Sequence, residues 1–304
     1  MNDHRQPWAV EARDVDYAYP GGIAALGGVS FGARSGELVA MLGANGSGKT
    51  TLLKVLMRLV QPQRGQVLLD QLDAKELRPA DVYRRVGMVF QNPNDQLFAA
   101  TVEQDVAFGP ANLGLSPAEI AARTDEALEA VEGLEFRDRP IHDLSFGQQK
   151  RVCLAGVLAM RPPILLLDEP TAGLDPAGES QMAELLLRLL RRQATTIVVC
   201  THAVDLLPVL ADRVYLLRRG RVWREGPAEQ VLCDPPAMAA AGLRLPLVAQ
   251  LFHDLACRHG IEVPRLPLTL ADARRQILEL LALPSVADGQ RNHALDNPIT
   301  PAEK

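Results

Sequence analysis

LVAMLGANGSGKTT, residues 38–51, joins a short apolar run to a glycine-rich turn and then to a helical pattern. Leu38–Leu42 is the right length for a buried strand, and Lys54–Leu59 opens the helix. Between them, Gly43-Ala44-Asn45-Gly46-Ser47-Gly48-Lys49-Thr50 fits G-x-x-x-x-G-K-[ST], with Thr51 following. That pattern carries meaning only in a strand–loop–helix setting, which this stretch provides. Gly43, Gly46 and Gly48 permit backbone turns and close approaches that a Cβ would block. Successive N–H groups and the helix N-terminus can then surround phosphate oxygens. Lys49 is expected between a β- and a γ-phosphate, and Thr50 is expected to offer its hydroxyl to Mg²⁺. A glycine-rich turn that binds nothing would need neither Lys49 and Thr50 in register nor the acidic pair found downstream.

Composition narrows the setting. The 304 residues suffice for one large domain or two smaller ones, and 47% apolar content excludes global disorder. A net charge of −5 and a pI near 5.7 argue against a broad nucleic-acid footprint, so no nucleic-acid partner is expected. No apolar run is long enough to span a bilayer, and MNDHRQPWAV lacks the apolar core of a secretion signal. Cys153, Cys200, Cys233 and Cys257 have no C-x-x-C spacing and read as reduced thiols. Together these point to the cytoplasm.

Upstream of the phosphate loop, Val10–Val15 and Gly28–Phe31 read as strands of an antiparallel sheet around Pro20-Gly21-Gly22. Tyr17 and Tyr19 are each placed to stack on a purine or simply to pack in that sheet. Downstream, Gln66–Leu69 and Val86–Phe90 read as strands, the latter a core strand delivering Gln91–Gln96 into a polar loop. Residues 101–160 read as helices. Thr101–Gln104 and Ser116–Glu119 have the form of capping boxes, and Ser145-Phe146-Gly147-Gln148 starts a helix whose bare end could hold an anion. Ile164–Leu167 is a buried strand ending at Asp168-Glu169. Asp168 is expected on Mg²⁺ and Glu169 on the attacking water. Asp175 is a natural N-cap for a helix running to about Arg192. Thr195–Cys200 ends at His202, which places His202 on the same sheet rim as Asp168. Val214–Leu217 and Arg221–Trp223, split by Arg219-Gly220, read as a closing hairpin. From about Val231, with a break at Pro235-Pro236, helices are expected over 237–259 and 269–283. These make a small C-terminal lobe, 231–284, followed by a polar tail, 285–304. His253, Cys257 and His259 are a weak metal-ligand pattern.

Taken together, GANGSGKTT, Gln91, LSFGQ at Leu144–Gln148, ILLLDEP at Ile164–Pro170, AGLD at Ala172–Asp175, and His202 resemble the ATP-binding subunits of ABC transporters. The match covers about residues 8–230. The resemblance implies an α/β fold: a P-loop NTPase with a RecA-like parallel-sheet core, an antiparallel β subdomain and a helical subdomain near 101–160. It implies ATP and Mg²⁺ as ligands. It implies that Tyr19 (or its neighbour Tyr17) stacks on adenine and that Gln91 senses Mg²⁺ and the γ-phosphate. It further implies that Ser145, Gly147 and Gln148 meet ATP bound to a second ATP-binding subunit, where the family more often has Gly in place of Phe146. Glu169 would be the catalytic glutamate, Asp175 an interprotomer residue, and His202 the switch histidine.

A narrower resemblance rests on QNPNDQLFAATVEQDVAFGPANLGL, Gln91–Leu115, which is similar to energy-coupling-factor importers and cobalt and nickel uptake systems. GLRLPLVAQLF and LPLTLADA in the C-terminal part resemble the cobalt/nickel branch, and vitamin-specific members carry similar tails. The resemblance implies a transmembrane coupling subunit, a substrate-capturing membrane subunit, and a place on the cytoplasmic face of the cell membrane. Gln96 and Phe98 are expected to transmit closure to the membrane partner. ABC-type ATPases acting on nucleic acid or ribosomes need a tandem cassette or a long coiled coil. This chain has one phosphate loop, and the interval from Lys49 to Asp168 holds no long coiled coil.

Overall fold

The computed structural model describes residues 6–193 and 195–281, so the polar tail expected over 285–304 lies outside the described residues. In chain order the elements are β1 (Trp8–Tyr19), β2 (Ile23–Arg34), β3 (Leu38–Leu42), α1 (Lys49–Leu56), β4 (Arg64–Leu69), β5 (Leu72–Asp73), α2 (Pro79–Arg85), β6 (Val86–Val89), α3 (Val102–Asn112), α4 (Pro117–Ala130), α5 (Phe146–Leu158), β7 (Ile164–Asp168), α6 (Pro176–Gln193), β8 (Thr196–Thr201), α7 (Leu207–Leu210), β9 (Arg213–Arg218), β10 (Arg221–Pro227), α8 (Ala228–Leu232), α9 (Pro235–Ala240), α10 (Leu247–His259) and α11 (Leu270–Leu280). They build two sheets. One is antiparallel, in the order β2-β1-β4-β5; the other runs β10-β9-β3-β8-β7-β6. In the second sheet β3, β6, β7, β8 and β9 are mutually parallel, with β10 antiparallel at the edge.

Every residue of β3, β7 and β8 is buried, as strands covered on both faces require. One face packs on α1 and the antiparallel sheet through Leu52, Leu56, Val67 and Phe31. The other packs on α3–α6 through Val106, Leu128, Leu154 and Leu186. A third core lies between Ala40, Leu42, Val214 and Leu216 of the sheet and Val231, Leu232, Met238 and Ala249. The expected boundary at 230 therefore falls inside α8, whose side chains share a core with β3 and β9.

Several local expectations need correction. β1 and β2 are much longer than the runs visible in sequence, because register shifts at Ala12/Val15 and Val15/Tyr17 interrupt the alternation while pairing continues. β6 is fully buried, as read from sequence, although it lies at the sheet edge, covered by α2 and α5. Pro235-Pro236 starts α9 rather than breaking the chain. Asp234 accepts the Ala237 N–H, and proline suits the first helical turn, where its missing N–H costs nothing. The helix expected over 237–259 is split where Gly242 takes φ 74° and Pro246 follows. Of the three capping boxes read from sequence, only that of Ser145 and Gln148 closes in both directions; Thr101 and Ser116 each cap through their own oxygen alone.

Candidate functional site

The parallel strands end on one rim, the usual ligand-binding edge of such sheets. β3 delivers the phosphate loop there, β7 delivers Asp168-Glu169, β8 delivers His202, and the edge strand β6 leads to Gln91. Because β8 lies between β3 and β7, these groups are neighbours in space although far apart in sequence.

The loop itself is shaped by glycine at two points. A Cβ on Gly43 would lie 2.3 Å from the Leu217 carbonyl, and one on Gly48, at φ 107°, 2.8 Å from the Ala25 carbonyl. Gly48 is also the N-cap of α1, so no side chain caps that helix and its first turn carries no acidic residue. α1 begins at Lys49, five residues earlier than the sequence pattern suggests, which brings its N-terminal dipole directly to the loop. Ser47 is buried, and its Oγ has no hydrogen-bond partner. A buried hydroxyl left unpaired, beside an uncapped helix start, suits the anionic oxygens of a phosphate. Lys49 is buried and donates from Nζ to the Gly43 carbonyl at 2.7 Å and to that of Ala44 at 3.4 Å. Ala44, Asn45 and Gly46 are exposed at the tip; the Ala44 N–H donates to the Ala241 carbonyl at the end of α9.

Thr50 donates from Oγ1 to Asp168 Oδ2 at 2.7 Å. Asp168 is only 2% exposed. Burial pushes its carboxyl above the ordinary range; the Thr50 hydrogen bond opposes this, Glu169 adds to it, and Lys49 opposes it again. A hydroxyl and a carboxylate brought together in this way are hard oxygen ligands of the kind Mg²⁺ takes. Thr50 and Asp168 thus fit a magnesium site. Gln91 is exposed at the rim and makes no side-chain hydrogen bond with them.

Glu169 is buried, with φ 48°, a left-handed conformation that costs a non-glycine residue energy and persists only when its surroundings hold it. His202 Nδ1 stands 2.9 Å from Glu169 Oε1, with the imidazole largely exposed and the carboxylate covered. The Glu169 N–H donates to the Cys200 carbonyl at 2.8 Å. Its carbonyl accepts from Lys150 Nζ at 2.7 Å, which also reaches the Pro170 carbonyl at 3.4 Å. Lys150 was not apparent as a site residue from sequence. Its only signal there was a lysine on what proves to be the buried side of α5, and burial depresses its ammonium while Glu169 opposes that shift.

Ser145, Gly147, Gln148 and Asp175 line one cavity of about 510 Å³ that no phosphate-loop residue borders. Ser145 Oγ accepts the Gln148 N–H, Gln148 Oε1 accepts the Ser145 N–H, and Asp175 Oδ1 accepts the Gly178 N–H at 2.7 Å. The Phe146 ring is packed against Gly173, where an added Cβ would lie 2.8 Å from it.

Near the start of α1, Tyr17 is buried and meets Tyr19 edge-on with ring centroids 5.1 Å apart. Tyr19 is partly exposed, and its hydroxyl shares a 3.0 Å hydrogen bond with Thr51 Oγ1. Of the two tyrosines, only Tyr19 is therefore tied to the start of α1. The expectation for Gln96 needs revision. Its Oε1 accepts the Phe90 N–H at 3.1 Å and its Nε2 donates to the Cys153 carbonyl at 2.9 Å, so both ends of the amide are used inside the protein. Phe98 instead stands exposed, edge-on to Phe108. Asp105 holds that stretch by accepting the Phe98 and Ala99 N–H groups, a role sequence reasoning missed. His253 and Cys257 share an exposed helix face, but no group of three metal-ligating side chains occurs among the described residues.

Known proteins place the chain in a family. The ABC transporter family model matches residues 26–172. The chain is 46% identical over 90% of its length to "Energy-coupling factor transporter ATP-binding protein EcfA" of Methanococcus maripaludis, covering 98% of that protein. It is 52% identical over 79% of its length to "Cobalt import ATP-binding protein CbiO" of Rhodobacter capsulatus, covering 86% of it. Among solved structures, cbiO1 from Clostridium perfringens, described as part of the ABC transporter complex cbiONQ, superposes with a TM-score of 0.70 at 38% identity, covering 81% of this chain and 99% of that one. The ATP-binding cassette MJ0796, solved as a dimer with ADP and Pi, superposes with a TM-score of 0.67 at 31% identity, covering 72% of this chain and 98% of that one. A phosphate loop, a threonine–aspartate pair and a covered glutamate on one sheet rim, in a chain with these relatives, define an ATP-hydrolysing cassette: the protein belongs to the ATP-binding subunits of ABC transporters, among those of energy-coupling-factor type.

Proposed function

We propose that the chain powers uptake of a transition-metal cation, cobalt or nickel, as the peripheral ATPase of an energy-coupling-factor importer on the cytoplasmic membrane face. The observation that carries the ATPase part is the rim where Lys49, Thr50, Asp168, Glu169 and His202 converge. The cation rests on the likeness to the Rhodobacter relative named for cobalt import. No helix among the described residues is long and apolar enough to cross a membrane; in this reading the solute passes through membrane subunits that the chain energises.

In this reading ATP lies with its phosphates in the Gly43–Thr51 loop and its adenine on Tyr19. Lys49 leaves the Gly43 carbonyl for the β- and γ-phosphate oxygens. Thr50 and Asp168 would hold Mg²⁺, with Gln91 at the same rim as a further oxygen ligand; when bound, the ion would supply charge neutralisation on the phosphates. Glu169 accepts a hydrogen bond from the attacking water, and His202 fixes the direction of that carboxylate. Ser145, Gly147, Gln148 and Asp175 line a cavity apart from the phosphate loop, which supports a role on ATP held by a second ATP-binding subunit in a head-to-tail dimer. ATP favours the closed dimer, hydrolysis removes that preference, and the cycle is a shift in population set by differential affinity. Phe98 is presented on the surface as a contact for the membrane coupling subunit.

The test is reconstitution of the chain with its membrane subunits in vesicles, followed by ATP-driven accumulation of radioactive Co²⁺ or Ni²⁺. Accumulation that disappears with Lys49→Ala supports the proposal. Vitamin accumulation without metal would move the chain to the vitamin branch, a reading that its similarity to the Methanococcus protein also accommodates.

A further inference from the structure

α5 carries Ser145–Gln148 at its start and Lys150 one turn in. Lys150 is 3% exposed, and its ammonium reaches past the sheet end to the carbonyls of Glu169 and Pro170. It therefore grips the backbone of the one left-handed residue at the mouth of β7. The carbonyl it holds also accepts the Ala172 N–H at 3.2 Å, so Lys150 and the turn close on the same atom. Lys150 Nζ lies 5.5 Å from the centre of the Phe146 ring, and that ring packs on Gly173 of the same turn. The start of α5 and the Glu169–Gly173 turn are thus joined at two points, one charged and one aromatic.

This linkage has a topological consequence that rests on the head-to-tail dimer proposed above. In that dimer Ser145–Gln148 of one protomer serve the partner's ATP, whereas Glu169 of the same protomer serves its own. We propose that Lys150 is a positioning residue that couples the two ATP sites, by transmitting displacement of the α5 N-terminus at one site to the backbone of the glutamate that works at the other. A flexible aliphatic stem ending in a compact three-donor ammonium suits two carbonyls at unequal distances. Because the ammonium holds the main chain rather than the carboxylate, its loss misplaces Glu169 without removing it.

The experiment uses mixed dimers of two differently tagged copies, each dimer having a single hydrolysis-competent site because the other site carries Glu169→Gln. When Lys150→Met is in the protomer whose Glu169 is intact, kcat should fall about 10- to 100-fold, as expected for misplacement of a reacting group, with ATP affinity within about twofold of the parent. When Lys150→Met is in the protomer that carries Glu169→Gln, the remaining site should turn over within about twofold of its control, because the Lys150 beside its own Glu169 is intact. Lys150→Arg should restore most of the rate in the first arrangement. If Lys150→Met precipitates, Lys150→Gln carries the same comparison. A defect that follows the partner's site, or that raises KM for ATP with kcat unchanged, overturns the proposal. Failure of the Glu169→Gln parent to dimerise with ATP, seen by light scattering before any Lys150 variant is made, overturns the dimer reading itself.

Discussion

Gln96 and Phe98 are two residues apart, and the structure separates their roles sharply enough to test. The Gln96 amide bridges the Phe90 N–H at the end of β6 and the Cys153 carbonyl in α5. It thus ties the loop containing Gln91 to the helical layer. Gln96→Ala removes both bonds. One net hydrogen bond is worth about 1 kcal/mol, and a covered N–H left without a partner adds about 1–3 kcal/mol. The Cys153 carbonyl sits within α5 and retains helix partners, so most of the loss falls on Phe90. The expected cost is about 2–3 kcal/mol. It should be read by urea unfolding with an unchanged m-value and by faster amide hydrogen exchange in α5 and around Phe90. Gln96→Glu keeps the acceptor for Phe90 but turns a carboxylate oxygen toward the Cys153 carbonyl, so it should cost at least as much as alanine at neutral pH. Phe98→Ala, by contrast, removes an exposed ring and one edge contact with Phe108, worth about 0.5–1.5 kcal/mol. Its main effect should appear as weaker co-purification with the membrane subunits. Gln96→Ala within about 0.5 kcal/mol of the parent, with unchanged exchange in α5, would refute the bridge.

Glu169→Gln should retain ATP binding and lose about 10²–10⁴-fold in turnover, the usual worth of a general base; steady-state hydrolysis within a factor of two of the parent removes Glu169 from that role. Gly48→Ala forces a Cβ to 2.8 Å from the Ala25 carbonyl at φ 107°, so nucleotide affinity, measured by calorimetry, should weaken at least about fivefold, since left-handed strain alone costs about 1–2 kcal/mol. Thiol labelling of the native chain should modify exposed Cys257 first, with Cys153 and Cys200 reacting only in denaturant; burial pushes the Cys153 thiol up to about 12 and raises Cys200 as well, so fast native labelling of either would contradict the packing. The same shift sets a pH dependence. A thiol whose folded pKa is raised contributes stability that is complete below its ordinary value of 9.0 and is lost as pH rises toward the folded value. Cys153→Ala should therefore flatten the alkaline limb of a stability-versus-pH curve, and an unchanged limb would count against it.

The order of elements and the identity of the phosphate loop were legible in the chain alone, because both depend on local physics. An apolar run followed by Gly43–Thr50 can be little else, and Asp168 and His202 each follow a run of residues too apolar to be exposed. Tertiary structure decided what depends on distant partners. Bulged pairing with β2 lengthened β1, and the sheet order put β6 at the edge while setting β8 between β3 and β7. It also showed that Gln96 faces inward, that Tyr19 rather than Tyr17 meets the α1 start, and that Lys150 reaches the Glu169 carbonyl. No sequence spacing encodes those contacts, since each joins atoms that only a packed core brings within reach.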